Sequence, residues 1–189
     1  PIPCLTCCKK KAGLARRSGQ QDSAVIMFDL KSPRFIRFTK GALQELTAFS
    51  RTLIKEFHFP QARTLSVEIH NKRDLNASAI LSSDKAAYII RLHIGLCVWA
   101  YDISAAATVM YEGAFDPRSE RQITLSEYRG DPRSGHLESI LERADRELYG
   151  VKDGYAETMF RLILLSVYAH ELAHILRGHV DDLHERTKG

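Results

Sequence analysis

The sequence predicts an α+β domain in which a small twisted sheet packs on helices. Three features carry this expectation. Short β-branched or alternating runs fall between residues 24 and 94, helical apolar spacing recurs over 40–58 and 96–112, and a long apolar helix closes the chain over 155–177. The 189 residues suffice for one ordinary domain with a core. With 44% hydrophobic and 26% charged residues, the composition is that of a globular chain. The net charge of +4 is too mild to argue for nucleic acid, and no nucleic-acid partner is expected.

Residues 1–22 are polar and basic, with Lys9-Lys10-Lys11 and Arg16-Arg17, and read as a flexible lead-in to a domain over 23–189. Ala24 to Phe28 reads as a short strand, and Phe35 to Phe38 as a second paired to it. From Lys40 to His58, Leu43, Leu46, Phe49, Leu53, Ile54 and Phe57 keep helical spacing, and Pro60 stops the helix. Leu65 to His70 alternates as a half-buried strand does. Ala77 to Leu81 and Ala87 to Ile94 form a hairpin around Ser82-Ser83-Asp84-Lys85, and Gly95 marks the change to a helix over 96–112. That apolar stretch is interrupted by Asp102, so it predicts a buried helix and no membrane span. Residues 113–134, with Pro117, Gly130 and Pro132, read as a surface loop of lid or specificity type. A polar helix over 137–149 follows, then the last helix, with Gly178 as its C-terminal stop.

Cys4, Cys7 and Cys8 crowd one end and Cys97 stands alone, which does not suit a secreted disulfide framework. Cys4 and Cys7 have half the spacing of a zinc ribbon, with no second pair to complete it. With no secretory signal visible, a reducing cytoplasm is the expected location.

The chemistry concentrates at His170-Glu171-Leu172-Ala173-His174. Four residues on a helix are about 40° of rotation and one turn of rise, so His170 and His174 project from one face and can grip one zinc ion. In this motif Glu171 takes a proton from metal-activated water and passes one to the leaving amine. The di-iron spacing Glu-x-x-His is also present at Glu171 and His174, but no second copy accompanies it. His179 lies half a turn from His170 unless Gly178 breaks the helix, so it reads as a supporting residue or a third ligand. Asp181, Asp182, His184 and Glu185 are further third-ligand candidates, none at a recognisable spacing. Tyr168 points about 200° away from His170 and is expected in the core.

The run from His170 to His179 resembles the active-site helix of gluzincin-type peptidases, including the HtpX and CAAX-prenyl-protease group. Asn76-Ala77-Ser78-Ala79, followed by Tyr88 to Leu96, is similar to the hairpin and strand-to-helix junction of that group. The order of elements, with Trp99 on a helix and a polar insert before the motif, also resembles Lit-type phage-exclusion peptidases. The resemblance implies a zincin-like fold with a buried HExxH active-site helix, and the activity of a zinc metallopeptidase, an endopeptidase. Its substrate would be a protein or peptide lying along an edge strand, most simply 87–94. It also implies a Glu on a later helix as third ligand. No matching motif occurs, so the expectation is that the domain is truncated at its C-terminus and the third ligand lies outside this sequence. The alternative from another class is a non-catalytic, metal-stabilised sensor or partner-binding module derived from a peptidase. Intact Glu171 argues against it, since holding metal alone does not need that carboxylate.

Overall fold

The computed structural model describes residues 31–56, 63–115, 137–149 and 153–186. The expected strand at 24–28, the basic segment with Cys4, Cys7 and Cys8, and the loop residues 116–134 lie outside that set. The described residues form an α+β arrangement of five helices and a three-stranded mixed sheet.

Helix α1 spans Pro33–Glu56. Residues 35–38 are therefore helical, which corrects the strand expected there. Ser32 and Pro33 decide the matter. The Ser32 hydroxyl accepts a hydrogen bond from the Phe35 amide at 3.1 Å, and Pro33 occupies the first helical position, where no amide donor is needed. Phe35, Phe38, Ala42, Leu46 and Ser50 then form the buried stripe.

Strands β1 (Thr64–His70), β2 (Ala77–Leu81) and β3 (Ala87–His93) follow the expected boundaries closely. β2 and β3 form the antiparallel hairpin, and β1 pairs parallel to β3. In its turn, the Asp84 carboxylate accepts hydrogen bonds from the Ser82 hydroxyl and the Ala86 amide, while Lys85 takes φ 59°. The strand order is β1-β3-β2, so β3 is the central strand. The expectation of an exposed edge over 87–94 is thereby overturned: both sides of β3 are already paired, and the edges are β1 and β2. Leu65, Val67, Ile69, Ala77, Ala79, Tyr88, Ile90 and Leu92 point to the core face. The opposite face carries the Arg91–Glu68 ion pair at 2.6 Å.

Helix α2 (Ile94–Phe115) starts directly from β3 and is the most buried helix of the core. Gly95 permits the junction, because a Cβ there would lie 2.1 Å from the Arg73 carbonyl oxygen. Helix α3 (Leu137–Glu147) packs on α2 through Leu137, Leu141 and Ala144. Buried Asp102 of α2 is held there by Arg143 of α3, at 2.5 and 3.1 Å. Helix α4 (Asp153–Leu176) crosses this group, and Phe35, Phe38, Tyr101 and Phe160 form an aromatic cluster joining α1, α2 and α4. A fifth helix, α5 (His179–Arg186), occupies the polar run after Gly178. Among the described residues, two helices, α2 and α4, are long and apolar enough to span a membrane. In α2 that stretch is mostly covered by the protein itself.

Candidate active site

Helix α4 turns one stripe inward: Ala156, Phe160, Leu164, Tyr168, Leu172 and Ile175, spaced by three or four residues. Its other side exposes Leu162, Leu165 and Leu176. The expectation of a buried motif helix is met along one face only. Tyr168 belongs to the core, as expected. Its ring is fully buried and its hydroxyl lies 2.6 Å from that of Ser50, which donates in turn to the Leu46 carbonyl.

His170 and His174 lie off the buried stripe: Tyr168 and Leu172 are each about 160° around the helix from His170, and Ile175 is about 100° from His174. His170 is exposed, and His174 and Glu171 are half-buried. The two imidazoles converge, with Nε2 of His170 3.2 Å from Nε2 of His174 and ring centroids 4.9 Å apart. Glu171 follows Leu164 by seven residues and precedes Ile175 by four, so it shares the inward-facing side.

Gly178 breaks the helix as the sequence allows. It takes φ 76°, donates its amide to the Ile175 carbonyl at 3.0 Å and accepts from the Asp182 amide at 3.1 Å. α5 thus leaves in a new direction, and exposed His179 comes against His174, with the two Nδ1 atoms 3.1 Å apart. The three imidazoles form a chain rather than a cage. His174 uses Nε2 toward His170 and Nδ1 toward His179, so no single point faces all three. Among the described residues, no group of three or more His, Cys, Asp or Glu side chains is arranged to hold a metal ion.

Asp181 is occupied elsewhere. Its carboxylate accepts from Arg63 at 2.5 Å and from the Tyr88 hydroxyl at 2.7 Å, and Arg63 also donates to Tyr88 at 2.5 Å. Arg63 and Tyr88 are buried at the start of β1 and β3. This triad pins α5 to the sheet. Burial would raise the Asp181 carboxyl, but the hydrogen bonds from Tyr88 and Arg63 outweigh it and hold the carboxyl below its ordinary range. The Tyr88 phenol is pushed up by burial and by the neighbouring Asp181. Asp182 and Glu185 are exposed on α5, and His184 is half-buried. Nothing in the sequence spacing marks Arg63 or Tyr88, whose partner lies 118 and 93 residues away.

Scans against known protein families, curated proteins and solved structures find no match to this chain.

Proposed function

We propose that the chain is a zincin-like, zinc-dependent peptide hydrolase in which His170 and His174 hold the metal and Glu171 is the general base. One observation carries this reading. Two nitrogens sharing a tetrahedral zinc at ordinary Zn–N lengths of roughly 2.0–2.1 Å lie about 3.3–3.4 Å apart. The Nε2 atoms of His170 and His174 are 3.2 Å apart and belong to adjacent turns of one helix. That separation is compatible with a zinc ion shared by the two histidines. The third protein donor that a catalytic zinc requires would come from outside the described residues.

When bound, zinc supplies Lewis acidity toward the scissile carbonyl and the attacking water. The chain's own contributions are proton transfer and positioning. The Glu171 carboxylate accepts the proton of the attacking water and returns one to the leaving amine nitrogen. The protein substrate adds to the sheet as an extended segment, and β2 is the edge for it, because α4 and α5 both pack against that strand.

A second reading, a metal-stabilised partner-binding module, draws on the convergence of two donors rather than three. Metal analysis decides the shared premise. The purified chain is expected to bind about one zinc, lost on His170→Ala and on His174→Ala. Full zinc retention in both variants would move the site elsewhere and end this reading.

A further inference from the structure

Resting on the reading of His170 and His174 as metal-holding residues, we propose that His179 is a positioning residue for His174, held in place by the Arg63–Tyr88–Asp181 triad. A neutral imidazole has one N–H and one lone pair, on different nitrogens. For His174 to present a lone pair at Nε2, its proton must sit on Nδ1. His179 Nδ1 lies 3.1 Å from that atom and is placed to accept the proton in a hydrogen bond. The contact fixes both the tautomer and the plane of the His174 ring, as the outer partners of metal-held histidines do elsewhere.

The contact does not arise from α4 alone. It depends on the turn at Gly178 and on where α5 docks. Two residues past His179, Asp181 is tied by Arg63 and Tyr88 to the starts of β1 and β3. Arg63 and Tyr88 are buried and Asp181 is half-buried, so the triad ties α5 to the sheet, while His179 itself is exposed. The sheet therefore sets the orientation of a residue on a different helix from the motif. An exposed histidine beyond a helix break, with no such anchor behind it, would lose side-chain entropy for little gain.

The test is zinc affinity, measured on the full chain by competition with a chromogenic chelator, alongside melting of the metal-free protein. His179→Ala is expected to weaken zinc binding about 10–100-fold without moving the metal-free melting curve. His179→Gln, whose amide oxygen can accept the same proton, should recover most of that loss. Tyr88→Phe, which removes one arm of the anchor, should weaken zinc in the same direction by a smaller factor. His170→Ala is the reference for a direct ligand. If it abolishes binding while His179→Ala binds like the parent, positioning by His179 is refuted and the metal reading stands. If His179→Ala is as defective as His170→Ala, His179 is itself a ligand and the proposal also falls. If His170→Ala binds zinc like the parent, both readings fall together.

Discussion

Glu171 lies on the inward-facing side of α4, next in sequence to an exposed histidine. Glu171 adjoins His170 in sequence and is half-buried, so its carboxylate is partly withdrawn from bulk water. Glu171→Gln keeps shape and volume but cannot take up a proton. The variant should fold and hold zinc as the parent does, while cleavage of an unfolded model protein, measured with the third zinc donor in place, falls about 10²–10⁴-fold. Zinc content and product formation, measured on the same sample, check this. Undiminished cleavage with zinc bound would exclude the general-base role. Tyr168, two residues before His170, was readable as a core residue from helix rotation alone, because about 200° carries it from the imidazole side to the buried stripe. His179 was not, because its place depends on the φ of Gly178, and a sequence says only that a glycine permits that turn.

At the scale of elements, α4 works as a helix of two unlike faces. Phe160 is fully buried against Phe35, Phe38 and Tyr101, whereas Leu162, two residues on, is about half exposed. Phe160→Ala should cost about 3–5 kcal/mol of stability, from lost transfer energy and the cavity left among the other rings. Leu162→Ser should change stability by no more than about 0.5 kcal/mol. Denaturant melts of the two variants check the pair, and equal losses would mean that α4 is covered on both faces. The β2–β3 hairpin was legible because β-branched and apolar residues flank a polar four-residue turn, and that information is local. The residues Phe35 to Phe38 misled because Phe-Ile-Arg-Phe resembles a short strand. The Ser-Pro pair just before it carries the stronger signal, a ready-made helix start. The short helix α5 went unread because eight polar residues with one buried side chain, Val180, have almost no apolar periodicity to detect.

For the molecule as a whole, what the sequence leaves open is long-range. Which strand lies in the middle of a three-stranded sheet depends on pairings between distant segments. The parallel pairing of β1 with β3 removes from β3 the edge that its composition suggests. The same holds for charge. Asp102 and Asp181 are ordinary aspartates in the sequence, yet the fold treats them oppositely. Burial raises the Asp102 carboxyl, with Arg143 opposing, so its contribution to stability is fullest at low pH and declines as pH rises through its folded-state pKa. Asp181 is held below its ordinary range by Tyr88 and Arg63, which outweigh burial. Its contribution is therefore fully present above the unfolded carboxyl pKa, about 3.9, and is lost as pH falls through the lower folded-state value. The consequence concerns docking of α5, because Asp181 is the carboxylate through which that helix is tied to the sheet. The stability difference between the parent and Asp181→Asn should be present at about pH 5 and shrink below about pH 4. Amide exchange of 179–186, followed by mass spectrometry across the same range, should quicken in the parent on acidification and depend less on pH in the variant. A difference that persists undiminished to pH 3 would mean that Asp181 does not hold α5 through its charge.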